Sequence, residues 1–277
     1  MKIKYIVDLD NIQVKEFLKK QGVSRNLLKK VRINDLAYVN GKQVKNFFIL
    51  KKGDLLEIDY SENLNEDFKV NDIPLDVLYE DEHILIVNKK QDLAIQPSKR
   101  HQEDNLISSI KKYYLDHNID SNIHIVTRLD FSTSGIVLIA KNGYIHHLLN
   151  DINYDKKYLC LVHNRFELLE GCFSDPIRRV EDINIKRWVF PDGKQALTKY
   201  KVLENGDISL VEATLLTGRT HQIRVHFAYH NHQLVGDKLY GLGDGKLKLH
   251  CYYLGFLHPI TNKRIEICNY PEWYNRK

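Results

Sequence analysis

The sequence lacks any long hydrophobic run. No stretch reaches the roughly 18–20 apolar residues that a membrane helix needs. The first ten residues alternate charged and apolar types where a secretory leader would have an apolar core. These absences lead to the expectation of a cytosolic protein with no membrane partner. Cysteine is sparse: four residues, Cys160, Cys172, Cys251 and Cys268, lie far apart with no C-x-x-C pair. A disulfide framework or a structural zinc site needs tighter spacing. Cys160 and Cys268 sit within apolar, strand-like runs, so buried reduced thiols are expected. There is no low-complexity tract and no repeat of fixed period. What remains is a globular chain of 277 residues, 43% hydrophobic and 28% charged, long enough for one large domain and a small one.

Its charge is unevenly spread. Residues 1–60 carry 13 Lys and Arg against 7 Asp and Glu, a net +6, whereas residues 61–277 carry 28 against 29, a net −1. A basic segment ahead of a near-neutral body suggests a dedicated polyanion-binding module. Asn11 is a candidate cap for a helix with Val14, Phe17 and Leu18 on one face, ending at Gly22. Ser24 is the candidate cap of a second helix, with Leu27, Leu28 and Val31 inward and Arg25, Lys29, Lys30 and Arg32 outward. In "AYVNGKQV", Asn40-Gly41 is a strong hairpin signal, because both residues tolerate positive φ. "KKGDLLEIDY" predicts a further turn and strand. Such a basic helix face can be mere solvated surface, but charges of one sign beside a hairpin point to nucleic acid. The run "SRNLLKKVRINDLAYVNGKQVKNFFILKKGDLLEI" resembles the αL motif, the small RNA-binding domain found in a small-subunit ribosomal protein and in tyrosyl-tRNA synthetase.

Residues 61–73 are polar, acidic and aperiodic, and are expected to form a linker. From Pro74 the pattern becomes strand-rich. "VLYEDEHILIVNK" predicts two strands about an acidic turn, Asp104 or Asn105 can cap a helix to about Asp116, and "GYIHHLLNDI" predicts a short helix. "NIHIV", "GIVLIAKN", "KKYLCLVHN", "GDISLVEATLL" and "NKRIEICNY" predict strands, and "RTHQIRVHFAYHN" a turn that becomes helical. The fold class is α+β: a small basic α/β domain over 1–60, then a mixed, mainly antiparallel sheet domain over 74–277.

Two polar runs stand out. "TRLDFSTSGIVLIAKN" crowds Arg128, Asp130 and three hydroxyl residues between apolar strands, a place where rigid scaffolds present catalytic groups. Composition alone leaves open an ordinary turn in which Asp130 caps the backbone. "LLTGRTHQIRVHFAYHNHQLVGDKLYG" packs Arg219, His221, Gln222, Arg224 and His226 into eight positions. If extended, it would place Gln222, Arg224 and His226 on one face. Its histidines lack a Cys or carboxylate companion at ligand spacing, so no metal is expected. Tyr158, in an apolar alternation, suits either a core position or a platform for a flipped base.

In order along residues 74–270, "LYEDEHILIVNK", "RLDFSTSGIVLIAK", "DKKYLCLV", "DPIRR", "GKQALTKYKVLE", "TGRTHQIRVH", "VGDKLYG" and "LHCYYLGFLHP" resemble the RluA-type pseudouridine synthases. That family modifies large-subunit ribosomal RNA and some tRNAs, and often carries an αL domain ahead of the catalytic one. The resemblance implies that Asp130 is the essential carboxylate and that Arg128 lies near the flipped nucleotide. It also implies that Tyr158 stacks on the target uracil and that Arg224 pairs with the aspartate. Arg219 falls in the same motif as Arg224. The family's usual histidine before Arg-Leu-Asp is Thr127 here. The implied reaction breaks the N-glycosidic bond, turns the uracil and rejoins it through carbon 5, with no redox step or group carrier. No cofactor is therefore expected. The expected partner is RNA, ribosomal or transfer, and a monomer is the default. Two other functions compete: a non-catalytic RNA-binding protein in ribosome assembly, and a hydrolase of nucleosides or nucleotides.

Overall fold

A computed structural model describes residues 2–59, 69–181, 185–243 and 245–274; most of the expected linker, 61–68, lies outside them. The first stretch contains β1 (Lys2–Ile6), β2 (Ile12–Gln13), α1 (Val14–Lys20), α2 (Arg25–Asn34), β3 (Ala37–Val39), β4 (Lys42–Val44), β5 (Ile49–Leu50) and β6 (Leu55–Asp59). Four of its strands form an antiparallel sheet in the order β1-β6-β3-β4, and β2 pairs β5. Phe17, Leu18, Val31, Leu50 and Leu56 are buried inside it. The Ser24 hydroxyl accepts the Leu27 amide at 3.2 Å and caps α2, while Asn40 (φ 51°) and Gly41 (φ 81°) make the β3–β4 turn.

The cap of α1 differs from expectation. The helix starts at Val14 after Gln13, and Asn11 stands outside it with φ 56°. Its first amides, of Val14 and Lys15, donate to the carbonyls of Phe48 and Asn46, both at 2.9 Å. A neighbouring backbone turn thus satisfies donors that a side-chain cap would otherwise take.

The remainder comprises β7 (Asp76–Glu80), β8 (Ile84–Lys89), α3 (Leu106–Asp116), β9 (His124–Ile125), β10 (Ser134–Ala140), α4 (Gly143–Asn150), β11 (Asp155–His163), β12 (Glu170–Phe173), β13 (Ile177–Arg179), β14 (Arg187–Val189), β15 (Thr198–Glu204), β16 (Ile208–Leu215), α5 (Gln222–Tyr229), β17 (Leu249–Leu257) and β18 (Arg264–Cys268). Ten strands build one sheet in the order β12-β15-β16-β11-β17-β10-β8-β7, with β18 added to β17 and β9 to β10. Its pairings are antiparallel except for β10 with β17. The α+β, mainly antiparallel class read from the sequence is the class observed.

The central strands read as unbroken apolar runs because both faces are covered. On β10, Ile136, Leu138 and Ala140 join one core, while Val137 and Ile139 join another against Leu106, Ile110 and Tyr114 of α3. The side-chain period of two divides each strand between the two cores. Asn105 caps α3, its side chain accepting the Ser108 amide at 3.0 Å.

Gly135 permits the parallel pairing. Its φ is +119°, and a Cβ there would stand 2.3 Å from the Cys251 carbonyl oxygen. Only glycine fits where the polar loop before β10 enters the sheet beside β17.

All four thiols are free, but only Cys160 and Cys251 are buried. Cys172 and Cys268 are exposed, against the expectation of buried thiols. Cys268 ends β18, whose alternate residues face solvent.

Candidate active site

The loop 126–133 leaves β9 and returns into β10. Three backbone-directed bonds fix its base: the Val126 and Thr127 amides donate to the Leu138 carbonyl at 2.9 and 3.2 Å, and the Leu138 amide donates to the Thr127 hydroxyl at 2.9 Å. Thr127 is buried, and this bond is the work its side chain does. At the tip, the Thr133 amide donates to the Asp130 carbonyl at 3.1 Å. From below, the fully buried Lys89 ammonium donates to the carbonyls of Lys90 and Leu93 at 2.9 Å and of Phe131 at 3.1 Å. Burial pushes Lys89 down to about 8, against the opposing pull of Asp130 and Asp92. A buried cation therefore underpins the loop that carries Asp130.

Asp130 opens into a cleft of about 650 Å³, within the size range of small-ligand sites. Tyr158, Arg128, Arg219 and Arg224 line the same cleft. The Asp130 side chain is 28% exposed. Tyr158 is buried on β11, next to a register shift against β17 between Lys157 and Tyr158. Such bulges re-aim a side chain. Burial raises the Tyr158 phenol well above its ordinary value, reinforced by Cys251 and Asp130. The ring is thus a neutral, rigid wall beside the carboxylate.

The structure corrects the expected partner of Arg224. The second polar run is helical from Gln222, so Gln222, Arg224 and His226 do not share a face. Gln222 and His226, one turn apart, both meet the Thr198 hydroxyl, at 2.9 Å each. Arg224 points elsewhere and forms a two-pronged pair with Asp237, Nε to Oδ2 and Nη2 to Oδ1, both 2.7 Å. Burial alone raises the Asp237 carboxyl, but Arg224 and the amides of Leu239 and Tyr240 outweigh it and hold it below its usual value. Arg224 reaches the loop at the Ser132 hydroxyl, 3.5 Å away, and its charge and that of Asp130 favour each other without a direct hydrogen bond among the described residues. His221 also faces Asp130, its Nε2 lying 4.0 Å from Oδ2.

Arg219 stays at the rim, its Nε donating to the Gln195 carbonyl at 3.0 Å. Its amide donates to the Gln222 side chain at 2.9 Å, which holds the turn entering α5. Arg25, Lys29, Lys30 and Arg32 are exposed on α2 and are absent from the cleft. Lys30 lines a second groove, of about 260 Å³, between α2 and α4. Tyr5 of β1 and Tyr144 of α4 share a hydroxyl–hydroxyl bond across the same two regions.

The sequence reading missed Asp237, Lys89 and Tyr240 as parts of the site. Asp237 and Tyr240 both stand in "VGDKLYG", a run that was visible without a role attached. Lys89 ends a strand of five buried residues and one half-buried one. A lysine in such company signals a paired, buried charge.

The chain is similar to known proteins. Residues 83–229, which include the loop, Tyr158 and α5, match the family model for RNA pseudouridylate synthase. An uncharacterized RNA pseudouridine synthase of Bacillus subtilis is 38% identical over 91% of this chain and 93% of its own length. The ribosomal large subunit pseudouridine synthase D of Blochmanniella floridana is 33% identical over 77% of this chain and 76% of its own. Among solved structures, human RNA pseudouridylate synthase domain containing 1 superposes with a TM-score of 0.59 at 26% identity, covering 73% of this chain and 85% of that one. With the family model spanning more than half its length, the chain belongs to the RNA pseudouridylate synthases, enzymes that isomerise uridine in RNA.

Proposed function

We propose that this enzyme converts uridine to pseudouridine in large-subunit ribosomal RNA, with Asp130 as the catalytic carboxylate and Tyr158 as the stacking platform. The observation that carries this reading is their meeting in one cleft: a partly exposed carboxylate beside a buried aromatic wall, on the segment that matches the family model. The preference for ribosomal RNA rests on the names of relatives in Blochmanniella floridana and Borreliella burgdorferi.

The chemistry is an isomerisation. The bond from ribose C1′ to uracil N1 breaks, C1′ bonds to C5, C5 loses its proton and N1 gains one. The base must first leave its stack, at a cost of a few kcal/mol. Stacking on Tyr158 is worth ~1–3 kcal/mol and offsets that cost. Arg128, exposed at the rim, fills space near the vacated nucleotide. The Asp130 carboxylate acts at the ribose–uracil bond, and the cleft keeps the detached base out of bulk water until it is rejoined. The protein acts in the cytoplasm as a monomer.

The test uses large-subunit ribosomal RNA and tRNA transcripts carrying tritium at uridine C5. Release of label in step with pseudouridine in the ribosomal transcript is the expected result. Release from tRNA alone would move the substrate, and no release from either would overturn the reading.

The basic face of α2 supplies the RNA grip away from the cleft. Changing Arg25, Lys29, Lys30 and Arg32 together to Gln should weaken RNA binding about tenfold at moderate salt. The slope of log affinity against log salt should become shallower by about one for each phosphate that is no longer neutralised. Filter binding across a salt series measures both, and an unchanged slope would exclude this face from the interface.

A further inference from the structure

His221 has a left-handed backbone, a conformation uncommon outside glycine. Nine described non-glycine residues have positive φ; eight are Asn or Asp, which tolerate it, and the ninth is His221 at φ 59°. Such a conformation is strained and persists where the surroundings hold it. His221 precedes α5 as its cap residue, yet its ring makes no capping bond. The ring turns into the cleft instead, 15% exposed, with Nε2 4.0 Å from Asp130 Oδ2.

The other ring nitrogen is held. Nδ1 lies 2.8 Å from the Tyr240 hydroxyl, with the two rings edge to face at 79°. That hydroxyl accepts the Arg187 amide at 2.9 Å and has its own proton to offer Nδ1. In the tautomer in which Nδ1 accepts that proton, Nε2 carries the ring proton on the side of Asp130. Every charged group near the ring is accounted for: Asp130 on the loop, Arg224 on α5, Asp237 in the following turn and Arg187 on β14. Burial holds the imidazole below its ordinary value, with Asp130 pulling the other way, which keeps the ring neutral near pH 7.

We propose that His221, fixed by Tyr240, is the positioning residue of the catalytic carboxylate. Nε2 faces Asp130 Oδ2 from 4.0 Å, beyond hydrogen-bond reach; it donates to that oxygen once the nucleotide fills the cleft, and so sets which oxygen faces the nucleotide. The inference rests on the reading of Asp130 given above.

Three variants test it by single-turnover tritium release, RNA binding and thermal melting. His221→Leu removes the donor and should lower kcat about 100-fold with KM within threefold, the scale of losing one directed hydrogen bond at a reacting centre. His221→Gln returns an N–H donor near the Nε2 position and should recover at least tenfold. Tyr240→Phe keeps the ring that stacks on Trp188 and should lower kcat about tenfold in the native background, but not further beside His221→Leu. A Leu variant within threefold of wild type, a Gln variant as slow as Leu, or independent losses in the double variant would each overturn the proposal. If the Leu variant does not fold, Tyr240→Phe decides: wild-type kcat in that protein overturns it. An inactive Asp130→Asn beside a full-rate His221→Leu sinks only this inference, whereas an active Asp130→Asn sinks the reading beneath it.

Discussion

Asp130→Asn is expected to abolish tritium release, by at least about 10³-fold, while leaving the fold and RNA binding in place. A loss of that size corresponds to about 4 kcal/mol of transition-state stabilisation. The substitution is nearly isosteric. The bond that shapes the loop tip runs from the Thr133 amide to the Asp130 carbonyl, which the change does not touch. The loop's other supports, the Thr127 hydroxyl and the Lys89 ammonium, belong to different residues. The side chain is 28% exposed, but its charge also favours the buried Lys89 ammonium, so a loss of about 1 kcal/mol on melting is expected, well short of unfolding the protein. RNA affinity should hold or rise slightly, because a negative charge leaves a polyanion-binding cleft. Single-turnover release with filter binding on the same preparation separates chemistry from binding. Release by the Asn variant at the wild-type rate would remove Asp130 from the mechanism.

The site was legible in the sequence as far as its groups lie on contiguous motifs. Asp130 and Tyr158 stand in separate runs, and both line the cleft. The sheet was legible because strands covered on both faces, such as β8 and β10, read as apolar runs of strand length. Caps that depend on a local side chain, Ser24 and Asn105, were also readable. What failed depended on long-range closure. The first amides of α1 find carbonyls of a turn more than thirty residues downstream, which no local pattern reveals. Arg224 had several possible carboxylate partners. The turn at Gly236, where a Cβ would stand 2.2 Å from the Lys246 carbonyl oxygen, is what brings Asp237 to it. The exposure of Cys268 follows from β18 attaching at the end of β17, a position its apolar sequence does not encode.

The reassignment of Arg224 gives the second large effect, on stability rather than on chemistry alone. The pair is almost fully buried, with side-chain exposures of 7% for Arg224 and 0% for Asp237. Asp237→Ala leaves a guanidinium buried without its partner and strips the acceptor from the Leu239 and Tyr240 amides, bonded at 2.9 and 3.1 Å. Breaking one side of a buried pair costs about 3–5 kcal/mol, and a drop in Tm on the order of 10 °C follows for a chain of this size. Arg224→Met combined with Asp237→Leu should recover much of that loss, because no charge then stays buried. A double variant as unstable as the single one would show that packing, not charge, sets the cost. The pH dependence has a definite sign. The Asp237 carboxyl is held below its unfolded value, so its stabilisation is complete above about pH 4. That stabilisation is lost as pH falls through the lower folded-state value. Denaturant unfolding at a series of acidic pH values should therefore show a steeper decline for wild type than for the double variant. Equal slopes would show that the pair contributes nothing to acid sensitivity. Activity should fall in Asp237→Ala even well below its melting temperature. An unpaired Arg224, 3.5 Å from the Ser132 hydroxyl, is free to swing to Asp130 and compete with His221 for the carboxylate.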